Sequence, residues 1–155
     1  PGNYYDDNRL MFPVTHRGDQ LPPKERILGL EIDSLFGALI LEPVRTAKVL
    51  NQSMGIFKLA AFYDEELDRV RVFESRLPND NILEFNFFEG KIRDKNTNSE
   101  WNTDGECVYG RMRGTNLTPV LAIDSMWFAW YAFHPDTKIL GSEPPPIRRG
   151  PDIPY

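Results

Sequence analysis

The chain has 155 residues, a length that suits one domain able to bury a full core. Its hydrophobic share of 41% and aromatic share of 12% exclude disorder throughout. A formal net charge of -5, with no basic cluster larger than Arg111/Arg113 or Arg148/Arg149, excludes a phosphate track, so nucleic acid is not an expected partner.

In chain order, residues 1–23 read as an extended N-terminal arm punctuated by Gly2, Pro13, Gly18, Pro22 and Pro23, with one apolar knot from Leu10 to Val14. Residues 24–141 read as a single β-rich domain. Ile27 to Ile32 is a strand, Asp33 to Gly37 a turn, and Ala38 to Leu41 the returning strand. Pro43 to Leu50 reads as a short helix with Val44, Ala47 and Leu50 on one face, because proline is accepted in a first helical turn. Ile56 to Glu74 reads as a hairpin whose acidic tip holds Asp64, Glu65, Glu66 and Asp68.

Ile82 to Phe88 is a further strand, with Leu83, Phe85 and Phe87 on one face. It pairs with Lys91 to Asp94 across Glu89-Gly90. Asn96 to Ser99 is a turn, and Glu106 to Tyr109 and Leu117 to Ile123 are short strands. Asp124 or Ser125 is the expected N-cap of an aromatic helix, Met126 to Phe133, ended by Pro135. This helix is apolar all round, which suits a core plug or a partner interface, and a membrane surface less well because it lacks a basic polar face. Residues 142–155 form a proline-rich tail, expected to be extended. Turn signals every eight to twelve residues give a mainly β fold: a twisted antiparallel sheet or small barrel, closed by one short aromatic helix and flanked by extended terminal arms.

Little chemistry is written in these residues. Cys107 is the one cysteine, so an internal disulfide and a zinc site built on cysteine pairs are excluded; it reads as a small buried hydrophobe. Asp64 and Glu66 at the tip, with His16 and His134, are the candidate metal ligands, but the spacing at the tip is not that of an EF-hand loop. No Gly-x-Ser-x-Gly elbow, phosphate loop or dinucleotide fingerprint is present. No cofactor is expected. Asn51 and Asn116 each open a glycosylation triplet. The longest apolar run, Met126 to Phe133, falls far short of the ~18 residues of a membrane helix. The arms offer Tyr4 and Tyr5 at one end and Pro144, Pro145, Pro146, Arg148, Arg149 and Tyr155 at the other as surfaces for a neighbouring subunit.

Several segments, in order, resemble the domain-of-unknown-function family number thirty-one seventy-nine, found in exported proteins of bacteria and archaea. They are Leu21 to Leu30, Ala38 to Val44, Val49-Leu50-Asn51, Asp94 to Asn102, and Trp127-Phe128-Ala129-Trp130 followed by Phe133-His134-Pro135-Asp136-Thr137. The resemblance implies the β fold, an extracytoplasmic location, and structural anchoring by Trp101, Trp127, Trp130, His134, Pro135 and Asp136. Fuller members carry a Tyr-Cys-Pro-Leu-Cys-Gly box where this chain has Phe62 to Leu67, and a histidine near the place of Lys48. Both are missing, which argues against enzymatic action. The expectation is a non-catalytic structural or interaction subunit of a larger extracytoplasmic assembly, with other protein subunits, copies of itself included, as partners. The alternatives are a metal-binding or redox accessory protein and a small-molecule or glycan binder.

Overall fold

The computed structural model describes residues 20–141. Two helices and twelve strands follow one another along them: β1 Arg26–Ile32, β2 Leu35–Ile40, α1 Leu41–Ala47, β3 Val49–Met54, β4 Phe57–Asp64, β5 Arg69–Glu74, β6 Phe85–Phe88, β7 Lys91–Asp94, β8 Glu100–Trp101, β9 Cys107–Tyr109, β10 Thr118–Pro119, β11 Ala122–Met126, α2 Trp127–Phe133 and β12 Lys138–Leu140. The strands form three open four-stranded sheets: β11-β1-β2-β12, β10-β5-β4-β3 and β6-β7-β8-β9. Every pairing is antiparallel except β2 with β12. The mainly β expectation holds, as open sheets rather than a barrel.

The middle sheet, β10-β5-β4-β3, is buried on both faces. Leu59 and Ala61 of β4 join Leu28, Leu30 and Leu39 of the first sheet in one core. Ala60 and Phe62, which alternate with them, join Phe85, Ile92 and Trp101 of the third sheet in another. Two-sided burial explains why Leu59 to Phe62 of β4 read as an unbroken apolar run, with no polar alternation. On the outer face of the first sheet, Ile27 and Ala38 pack under Trp127 and Trp130 of α2. The layers therefore run α2, first sheet, middle sheet, third sheet.

Several elements differ from the sequence reading. The β1–β2 turn is only Asp33-Ser34, both at positive φ (48° and 70°), so Leu35 to Gly37 belong to β2. Two positive φ values match the tight hairpin turn whose twist suits the flanking strands. Glu89-Gly90, at 54° and 76°, makes the same turn in the expected place. Ile56 stands 79% exposed in the Gly55-Ile56 turn between β3 and β4, outside the strand assigned to it.

The helix expected from Pro43 to Leu50 begins at Leu41 and stops at Ala47, with Ala47 exposed and Val44 buried. Lys48 takes the left-handed conformation (φ 74°) that ends it, and Val49 and Leu50 open β3. The strand expected from Leu117 to Ile123 is two strands in two sheets. Pro119 has no amide hydrogen for a ladder and sits on the edge strand β10, and the chain then crosses to the first sheet as β11.

Asp124 and Ser125 lie inside β11 and do not cap α2; the residue at the cap, Met126, makes no side-chain bond. The amides of Trp127 and Phe128 donate instead to the carbonyls of Glu25 and Pro23 (2.8 and 2.9 Å). Nor is α2 buried all round. Trp127 and Trp130 face the sheet, while Phe128 (54% exposed) and Phe133 (81%) face outward. Among the described residues no helix is long and apolar enough to cross a membrane.

Candidate functional site

The resemblance places a cysteine box at Phe62 to Leu67 and a histidine near Lys48, and the fold brings these two places together. The end of α1 meets the end of β4 through the Tyr63 amide, which donates to the Lys48 carbonyl (2.9 Å). The Lys48 ammonium pairs with Glu65 and lies 5.1 Å from the centre of the Tyr63 ring. One turn earlier on α1, Arg45 Nε donates to Asp68 Oδ1 at 3.2 Å, and the Tyr63 hydroxyl donates to the same oxygen at 2.7 Å. Asp64 shapes the tip, its Oδ1 accepting from the amides of Glu66 and Leu67 (3.0 and 3.2 Å). Where the resemblance places a histidine and a cysteine box, this chain has two ion pairs and a phenol.

The electrostatics follow from that geometry. The Tyr63 hydrogen bond first, and the Arg45 guanidinium second, hold the Asp68 carboxyl below its ordinary range. The same bond to Asp68, followed by desolvation, raises the Tyr63 phenol above its own. Asp68, with its folded value depressed, contributes stability above the ordinary carboxylate range and loses it as pH falls through the depressed value. Tyr63, with its value raised, contributes below the ordinary phenol range and loses that as pH rises through the raised value. The network is therefore intact across neutral pH. In an alkaline titration followed by NMR of the tyrosine rings, Tyr63 is expected to ionise later than a free tyrosine, and Asp68→Ala is expected to return it to the ordinary range. An unchanged Tyr63 titration in that variant would contradict the network.

The remaining candidate residues do not converge. Among the described residues, no three of His, Cys, Asp and Glu stand close enough to hold a metal ion, so Asp64, Glu66 and His134 do not form one centre. Glu66 is exposed on the hairpin tip. The His134 ring stacks on Phe36 (centroids 3.9 Å, 19° between planes) and lies 4.3 Å from Trp130. Trp130 Nε1 donates to the buried Thr137 hydroxyl at 2.9 Å. Pro135 and Asp136 are exposed in the turn that carries the chain into β12. Trp101 does not share this anchor, as the sequence reading had it. It belongs to the other core, where its Nε1 donates to Asp94 Oδ2 at 2.8 Å. Cys107 is buried beside it, paired across the strands.

All three tryptophans are buried, so none offers an open platform for a sugar ring. Both amide atoms of the Asn51 side chain are committed to the Phe85 backbone (2.8 and 3.0 Å), so a glycan there would break that clamp. His16, Tyr4, Tyr5, Pro144, Pro145, Pro146, Arg148, Arg149 and Tyr155 lie outside the described residues.

The family model described as "Protein of unknown function (DUF3179)" matches residues 1–137. The chain belongs to that family. No curated protein and no solved structure matches it. In this DUF3179 chain the two segments that carried most of the resemblance are each a closed structural device. Asp94 to Trp101 is a turn locked around a buried carboxyl group, and Trp127 to Thr137 is a helix and turn locked to the first sheet. Sequence reasoning missed one feature that the fold creates: a cleft over β3, β4 and the residues after β5. No motif announces it, because its walls come from strands distant in sequence.

Proposed function

We propose that this chain is a non-catalytic interaction subunit of a larger extracytoplasmic protein assembly. The observation that carries this reading is the outer side of the first sheet. β11 is an edge strand, paired on one side with β1 alone among the described residues. Leu121, Ile123, Phe128 and Phe133, on and beside β11 and α2, are all exposed. Apolar groups gathered on consecutive elements favour contact with another protein, and an open edge accepts a further strand.

Two further points support the reading. The residues of the family resemblance are spent on holding the fold, and the place where the resemblance implies cysteine chemistry holds ion pairs. The family resemblance also supports the extracytoplasmic location. Hydrogen exchange separates the alternatives. In the protein as isolated from its cells, the backbone amides from Leu121 to Phe133 are expected to exchange more slowly than in the purified single chain. Equal exchange over that stretch would remove the surface from consideration.

A further inference from the structure

A cleft of about 740 Å³ lies over one end of the middle sheet. Its floor is a row across three strands. Ser53 of β3 stands opposite Lys58 of β4, and the Ser75 amide continues the row by donating to the Lys58 carbonyl at 2.8 Å. Leu83, Glu84, Leu140 and Gly141 also line it. A cleft of this size takes a small organic molecule.

The walls are already fixed by internal bonds. Asn51 is clamped to Phe85, Gln52 Oε1 accepts from the Gly141 amide at 3.0 Å, and Asn96 Oδ1 accepts from the Glu84 amide at 3.1 Å. The Glu84 carboxylate pairs with Lys95 at 3.6 Å.

Two groups are left over. Ser75 is only 2% exposed and lines the cleft, yet its hydroxyl makes no hydrogen bond to any described residue. A buried hydroxyl without a partner is costly, and native proteins rarely leave one so without a reason. The Lys58 ammonium touches the Ser53 hydroxyl at 3.2 Å and has no carboxylate partner among the described residues.

We propose that this cleft binds a small hydroxylated organic carboxylate, whose anionic end meets Lys58 and whose hydroxyl groups meet Ser75. One unpaired ammonium balances one negative charge, and the cleft has none of the arginine forks that favour phosphate. The inference stands independently of the assembly reading, since the cleft meets the first sheet only at β12, the edge opposite the β11 contact face.

The test is a titration of the full chain with gluconate at constant ionic strength, followed by amide NMR. Sorbitol, which has a similar carbon chain and no charge, serves as the control. Gluconate is expected to shift the amides of Ser53, Lys58, Ser75 and Gly141 saturably, and sorbitol to bind about fivefold more weakly or worse, the loss expected for one exposed charge contact. Lys58→Ala is expected to weaken gluconate to the same degree. Ser75→Ala is expected to weaken it without lowering the melting temperature, which a hydroxyl with a structural role would lower. Non-saturating shifts, equal binding of sorbitol, or undiminished binding by Lys58→Ala would each overturn the proposal. So would binding that appears only after residues 142–155 are removed, because the cleft would then belong to the chain's own tail.

Discussion

Asp94→Ala is expected to cost about 3–5 kcal/mol of folding stability, a large part of what holds a domain of this size together. Asp94 is fully buried. Its Oδ1 accepts from the Thr97 amide, the Thr97 hydroxyl bonds the same carboxyl group at 2.9 Å, and Oδ2 accepts from Trp101 Nε1 at 2.8 Å. Alanine leaves those donors inside the protein without acceptors, and each costs on the order of 1–3 kcal/mol. The damage also spreads along the turn. The Thr97 hydroxyl contacts the Ser99 hydroxyl at 2.7 Å, and Ser99 Oγ accepts from the Met112 amide at 3.2 Å. Asparagine is no remedy, since either orientation of its amide sets an NH₂ group against an N–H donor, so Asp94→Asn is expected to lose about 2 kcal/mol. Urea unfolding measures both variants, and Trp101 emission reports the local loss. A change below about 1 kcal/mol for Asp94→Ala would mean that the turn holds without its carboxyl group.

Gly29→Ala is the second large effect, expected at about 3 kcal/mol. A Cβ at Gly29 would stand 2.4–2.6 Å from the six-membered part of the Trp130 ring. The backbone of Gly29 is one that alanine adopts freely, so the cost is steric. Trp130 cannot retreat easily: Thr137 holds its Nε1, the His134 ring lies 4.3 Å away, and Phe36 meets its edge at 6.3 Å. The helix α2 must lift from β1 to make room. Loss of the near-ultraviolet circular dichroism of the tryptophans, together with a lower melting temperature, checks this. A steric cause predicts that Gly29→Ala costs much less in a Trp130→Leu background, since two residues in contact do not act additively. Equal costs in both backgrounds would point elsewhere.

Both effects arise in segments that the sequence already marked. Asp94, Thr97, Ser99 and Trp101 are close along the chain, and so are Trp130, His134 and Thr137. Local spacing therefore carried their association, although not the separation of Trp101 from the other two tryptophans into a different core. The hairpin tips were legible for the same reason: Glu89-Gly90 and the acidic loop after Tyr63 are short-range signals.

What failed was long-range. The six residues of β3 mix Asn51, Gln52 and Ser53 with Val49 and Met54, and they become a strand because β4 pairs with them and Asn51 clamps Phe85. Three-residue β12 exists only through its parallel pairing with β2, and two-residue β8 only between β7 and β9. The meeting of Lys48 with Glu65, and the unpaired hydroxyl of Ser75, are likewise products of packing that no local pattern encodes.

The central claim is that the exposed side of α2 and β11 docks this chain into an assembly. The native mass of the protein isolated from its own cells tests it most directly, with the full chain compared with Phe128→Glu/Phe133→Glu. Both side chains point outward, so the double variant is expected to keep the near-ultraviolet spectrum of the unaltered protein. The account predicts that the unaltered chain travels in a species several times its 17.9 kDa, and that the variant falls to the mass of a single chain. If both run as single chains, or both remain in the same large species, the docking face assigned to α2 and β11 is wrong.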